Sequence, residues 1–157
     1  MTNGRTANNR GRKAENDVAA WLQANGFPDA ERSASKIVDR GDIAGVPGTC
    51  IEVKHCNDPM RALRDAQREA LAEAFGRRPV AVVRLPGVTD PAKWWAATPM
   101  SHAQFVLGVG HGVVLPERCF ARVIHATISE YGSCLRDGWW ITTVDRLFAA
   151  LPQAVAS

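Results

Sequence analysis

Long apolar runs are missing from this chain. No stretch reaches 18 consecutive apolar residues, the least that reads as a membrane-spanning helix, which argues against a transmembrane protein. The N-terminus is polar and basic and lacks the apolar segment of a secretory signal; a cytoplasmic protein with no membrane partner is expected. Cysteine is sparse. Cys50, Cys56, Cys119 and Cys134 contain no C-x-x-C pair, so buried thiols are expected in place of disulfides or zinc ligands. A zinc site using some of His55, His102, His111 and His125 is the alternative. Lysine is short too, at 4 against 15 arginines. That favours bidentate phosphate contacts, and coding bias in a GC-rich genome accounts for it equally well.

The residues that are present suit one domain. The chain has 157 residues, 46% of them apolar and 22% charged, enough to bury a core without staples. Charge is uneven. Residues 1–84 hold 14 of the 19 basic and 11 of the 16 acidic side chains, a net of +3, whereas residues 85–157 hold 5 of each. A basic half suits a polyanionic partner, or is simply a solvated surface.

The most informative stretch is residues 39–56. Two short apolar runs flank Gly45-Val-Pro-Gly48, which predicts a β-hairpin with a four-residue loop. Asp42 falls on the first strand, and Glu52 and Lys54 on the second. Residues two apart share a face of a strand, so Glu52 and Lys54 project together while Ile51 and Val53 project the other way. Pairing across the hairpin brings Asp42 alongside Glu52. Two carboxylates that close repel unless a hard cation lies between them, which points to a Mg²⁺ site. The plain alternative is a structural hairpin with solvated charges.

Around this hairpin the pattern predicts, in order, a polar and disordered segment 1–10, a helix over 12–25 stopped by Gly26, and a strand from Phe27 to Ser35. Glu15 lies at the border of the first helix's apolar stripe (Ala14, Val18, Trp21, Leu22). Residues 37–44 lead into the hairpin. Asp58 is placed to cap a second helix running from Met60 to about Phe75. Its expected stripe is Met60, Leu63, Gln67, Leu71 and Ala74, with Gln67 inward, and Arg61, Arg64 and Arg68 form a basic face. A buried strand over 80–85 comes next. The core therefore reads α-β-β-β-α-β over residues 11–107, an α/β fold with a mixed sheet. Residues 94–98 and 139–143 read as further strands, 101–107 and 144–151 as helices, and 108–138 as strands and loops of a C-terminal extension. The two tryptophan pairs, Trp94-Trp95 and Trp139-Trp140, read as core, with a stacking or dimer-interface role as the sharper option.

The string Asp42, nine residues, Glu52-Val53-Lys54 resembles the active-site motif of the PD-(D/E)xK nuclease superfamily, with Gly41 standing where that name has proline. With Arg10-Gly-Arg-Lys-Ala-Glu15, Gly26-Phe27, the loop Arg32–Lys36 and Gly41-Asp42-Ile43, the first 85 to 110 residues look like the archaeal-type Holliday junction resolvases and their phage relatives. The resemblance implies a restriction-endonuclease-like core and a catalytic centre of Glu15, Asp42, Glu52 and Lys54. It implies Mg²⁺, replaceable by Mn²⁺, held by Asp42, Glu52 and the Val53 carbonyl with Glu15 in reach. Ser33 or Ser35 would be the assisting loop serine, and Gln67 the glutamine that several branches carry on the second helix.

The activity this resemblance implies is that of a metal-dependent, structure-selective DNA endonuclease. It would act on four-way junctions in recombination and repair, hydrolysing phosphodiesters to 5′-phosphate and 3′-hydroxyl ends. A junction needs two cuts, so a homodimer is expected. Candidate DNA contacts are Arg10, Arg12, Lys13, Arg32, Ser33, Ser35, Lys36, Arg61, Arg64 and Arg68. Two alternatives stand beside it: another nuclease on the same scaffold (nicking, restriction-like or RecB-like exonuclease), and a DNA-binding module that has lost activity. All four charged positions being present argues against the latter.

Overall fold

Apolar side chains at alternate positions of two adjacent parallel strands divide the molecule into two layers of core. In the computed structural model, which describes residues 4–33, 41–101 and 113–151, strand β3 (Thr49–His55) pairs in parallel with β4 (Arg78–Arg84), from Thr49 opposite Arg78 to His55 opposite Arg84. The connection is helix α2 (Pro59–Glu73). Val80 and Val82 join Ile51 and Val53 on one side; Ala81 and Val83 point to the other. Both faces being apolar, helices must cover both. Helix α1 (Gly4–Ala24) supplies Ala14, Val18 and Leu22 to the first face. Helix α2 supplies Ala62, Leu63 and Ala66 to the second.

The remaining strands extend this pair into one mixed sheet of eight, in the order β1-β2-β3-β4-β5-β8-β7-β6. Short strands β1 (Glu31–Arg32) and β2 (Ile43–Ala44) form one edge. Strand β5 (Trp95–Pro99) runs antiparallel to β4. Then come β6 (Val113–Val114), helix α3 (Ala121–Tyr131), β7 (Cys134–Arg136), β8 (Trp139–Thr143) and helix α4 (Val144–Ala150). Thus α1 and α4 lie on one face, α2 and α3 on the other. The architecture is α/β with a mixed open sheet and, among the described residues, four helices. None of them is long and apolar enough to cross a membrane.

Several expectations hold. The hairpin forms, with Ile43 opposite Ile51. The Asp58 carboxylate accepts from the Met60 and Arg61 N–H groups at 3.0 and 3.3 Å, a cap of the kind that contributes about 1 kcal/mol. All four paired tryptophans are core: Trp94 and Trp140 face the α1 side, Trp95 and Trp139 the α2 side.

Others need correction. Residues 4–10, expected to be disordered, belong to α1; no proline falls among them, and the helix extends back through them. The strand expected from Phe27 shrinks to Glu31–Arg32. Pro28 and a turn closed by Ala30 N–H on the Phe27 carbonyl, 3.0 Å, take the preceding residues out of line, and Phe27 packs edge-on against Phe148 instead. The segment 121–131, expected as strand or loop, is α3. Its Val123, Ile124, Thr127 and Ile128 are β-branched, yet Ile124, Thr127 and Ile128 recur at three and four and are the buried line. The C-terminal residues are not an appendage: β8 lies directly against β5, from Trp95 opposite Thr143 to Pro99 opposite Trp139. Ser35, Lys36, His102, His111 and most of the helix expected over 101–107 lie outside the described residues.

Candidate active site

The β2–β3 hairpin closes early. Ile43 opposite Ile51 is its single pair, so from Val53 onward the outer edge of β3 has no strand partner among the described residues. An N–H group left there needs an acceptor. Asp42 supplies it: its Oδ2 accepts from the Val53 N–H at 2.8 Å, while its own N–H donates to the Ile51 carbonyl at 2.7 Å. The N–H and C=O of one residue leave a strand on the same side, so the Val53 carbonyl also faces this edge. Gly41 makes the approach possible. Its φ is +79°, and a Cβ there would lie 2.6 Å from the Ile51 carbonyl oxygen, so glycine is required at this position.

Glu52 is buried, 3% exposed, and lies near enough to Asp42 for the two carboxyls to interact. Burial pushes its carboxyl up to about 9, helped by the charges of Asp42 and Glu73 and opposed by Lys54. The Lys54 ammonium lies 3.7 Å from Glu52 and 2.5 Å from Glu69 of α2. Burial alone would lower the Lys54 pKa; the hydrogen bond to Glu69 and the charges of Asp42, Glu69 and Glu52 outweigh it, and the net shift is upward. Asp42, Glu52 and Lys54 therefore lie near one another: two interacting carboxyl groups, with an ammonium 3.7 Å from one of them.

Helix α2 brings two carboxylates that sequence reasoning misses. Glu69 holds Lys54. Glu73, Glu52 and the buried Cys50 bring their ligand atoms within 4.8 Å of one another, the single such group among the described residues. Burial raises the Cys50 thiol to about 11, so it is a poor thiolate ligand at neutral pH. Glu69 and Glu73 continue the line Ala62–Ala66 at helical spacing, and that is the one signal the sequence offers for them. No group of histidines and cysteines is drawn together among the described residues, and the cysteines there are free thiols.

The other expected residues lie around this pair or away from it. Glu15 pairs with Arg32 across 2.7 Å, on a helix that covers the face opposite α2, and that ion pair is what positions it. The Ser33 N–H donates to the Asp42 carbonyl at 2.8 Å, and its buried hydroxyl has no partner among the described residues. Gln67 is half-buried at the margin of α2, not at the middle of its stripe. The helix buries Met60, Ala62, Leu63, Ala66 and Ala70, and Leu71, expected inside, is 52% exposed. Small alanines let α2 sit close on β3 and β4 along the 62–66–70 line, which turns Leu71 outward. Arg61, Arg64 and Arg68 are exposed, though Asp65 lies 3.8 Å from Arg61 and 3.1 Å from Arg68. On α1, Arg10, Arg12 and Lys13 are exposed, with Lys13 paired to Asp17 at 2.8 Å. Arg10 is near enough to the end of β3 that, after burial and Arg84, its charge helps lower the pKa of His55.

The donor set fits a hard divalent cation. Carboxylate and carbonyl oxygens are the ligands Mg²⁺ takes, and Asp42, Glu52 and the Val53 carbonyl, at neighbouring positions of the β2–β3 hairpin, are oxygens of that kind. Burial and the Asp42 charge raise the Glu52 carboxyl, and a cation there would relieve both. Comparison with protein-family models, curated proteins and solved structures found no match to this chain.

Proposed function

We propose that the chain is a metal-dependent DNA endonuclease of the PD-(D/E)xK kind, with an αβββαβ restriction-endonuclease-like core, cutting branched DNA and four-way junctions first among its substrates. The observation that carries this reading is Glu52, buried against Asp42 with Lys54 at 3.7 Å. The element order α1-β1-β2-β3-α2-β4 supports it.

Asp42, Glu52 and the Val53 carbonyl would hold Mg²⁺ or Mn²⁺. Bound there, the cation would act as a Lewis acid on a phosphate oxygen and supply a nucleophile at neutral pH. Lys54 brings a fixed positive charge beside that position, where it would orient the attacking water or neutralise charge growing on the phosphate. Glu69 keeps the ammonium charged and aimed. Glu15 is held in its ion pair with Arg32, so its part would be to place Arg32 at the phosphate backbone, together with Arg10 and Arg12. A junction needs two symmetric cuts, and a homodimer would present two such sites.

The test is a substrate panel: an end-labelled four-way junction, a linear duplex and single strands, each incubated with the protein in Mg²⁺ and in EDTA. Cutting of the junction in Mg²⁺ alone supports the reading. Equal cutting of all three removes junction selectivity and leaves a general nuclease. Intact DNA throughout removes the enzyme.

A further inference from the structure

A cavity lies between the N-terminal turns of α2 and α3, and its lining does not include Asp42, Glu52 or Lys54. Its volume is about 750 Å³, within the range of about 300–1,000 Å³ typical of small-molecule sites. Four arginines line it: Arg64 from α2, Arg118 and Arg122 flanking the start of α3, and Arg136 from β7. Arg136 is spent on structure. It is buried, donates to the Glu117 carbonyl and pairs with Asp137 at 3.2 Å, which fixes the backbone leading to α3. Two acids also line it: Asp58, at the other wall, is engaged by the N–H groups it caps, and Glu117 is exposed beside Arg118. Arg64 and Arg118 are exposed and form no ion pair among the described residues.

At the rim stands Phe120, 68% exposed, with the Arg122 guanidinium 5.5 Å from its ring centre. An apolar ring in water is unfavourable unless something covers it. Phe120 is also the N-cap of α3, which has no side-chain cap, so the first N–H groups of that helix add to the positive potential of the cavity.

We propose that this cavity holds an unpaired nucleotide of a DNA strand, its base stacked on Phe120 and its phosphates on Arg64, Arg118 and Arg122. Guanidinium groups beside an exposed aromatic ring are the means by which proteins hold single strands: the charge follows the backbone and the ring takes any base. Duplex DNA keeps its bases stacked and offers Phe120 nothing. An acidic peptide would satisfy the arginines and leave the ring bare. The proposal takes its strand from the DNA-directed reading above and deepens it, because unpaired nucleotides are what set branched or frayed DNA apart from a plain duplex.

Binding is measured by fluorescence anisotropy in EDTA, so that no cleavage is required, with a labelled oligothymidylate of about ten nucleotides and a blunt duplex of equal length. Phe120→Ala is expected to weaken single-strand binding about tenfold, to leave its salt dependence unchanged and to spare the duplex, while Phe120→Trp retains binding. Arg118→Ala is expected to lower the slope of log affinity against log salt by about 0.7. Both side chains are exposed, and circular dichroism of each variant checks that the fold is kept. The proposal is overturned if wild-type protein does not bind the single strand, if Phe120→Ala binds it as wild type does, or if single strand and duplex weaken alike. Failure of Mg²⁺-dependent cleavage leaves this result standing, and failure here leaves the nuclease reading standing.

Discussion

Oδ2 of Asp42 lies 2.8 Å from the Val53 amide nitrogen, so the carboxylate that satisfies the edge of β3 is also the one whose charge helps raise the Glu52 carboxyl. The structural and the chemical roles separate by substitution. Asn at position 42 keeps an oxygen for the Val53 N–H and gives up the charge. Asp42→Asn is expected to unfold at nearly the wild-type urea midpoint while DNA cleavage in Mg²⁺ falls by about 10²–10³, the scale of a lost electrostatic group in an active site. Asp42→Ala leaves that N–H without its acceptor and is expected to lose a further 1–3 kcal/mol or so of stability.

Glu52 makes stability depend on pH. Its carboxyl, ordinarily at 4.5, is raised to about 9 in the folded chain. Between those values the folded state binds the proton that the unfolded state has released, so stability falls as pH rises. The contribution is whole below pH 4.5 and is lost by the time pH passes about 9. Urea unfolding in EDTA from pH 5 to 9 is expected to show this decline, and Glu52→Gln to flatten it. Equal slopes in the two proteins would place the proton elsewhere.

Glu69 acts on Lys54. The 2.5 Å contact helps raise the lysine pKa, so Glu69→Gln is expected to lower it. The alkaline limb of the cleavage rate should then move to lower pH, with kcat falling more than KM rises. A change in KM alone would make Glu69 a substrate contact, contrary to this assignment.

Gly41 is the backbone support of the pair. Its φ of +79° and the 2.6 Å approach to the Ile51 carbonyl both exclude a side chain. Gly41→Ala is expected to destabilise the fold by at least about 2 kcal/mol in thermal or urea unfolding. A variant as stable as the parent would mean that this loop is not held as described.

Local chemistry carried much of this into the sequence. The Gly45–Gly48 turn, the Asp58 cap and the two-residue spacing of Glu52 and Lys54 are read from neighbours in the chain, and each is found. The features that escaped depend on distant partners. Glu69 and Glu73 look like a solvated helix face until β3 is laid beneath them. Leu71 looks like core until the alanines of α2 set how the helix sits. The β-branched residues of α3 suit a strand until Ile124 and Ile128 find the sheet face formed by Trp139 and Ile141. The place of β8 beside β5 comes from pairing across 40 to 48 residues, which no local pattern contains.

A divalent cation is expected to seat between Asp42 and Glu52. Calorimetric titration of Mn²⁺ into the protein at pH 7, repeated in buffers of different ionisation enthalpy, reads ion binding and proton release together. One ion per chain is expected, releasing close to one proton as Glu52 ionises, with affinity lost in both Asp42→Asn and Glu52→Gln. No binding, or binding that these variants leave untouched, would contradict the account.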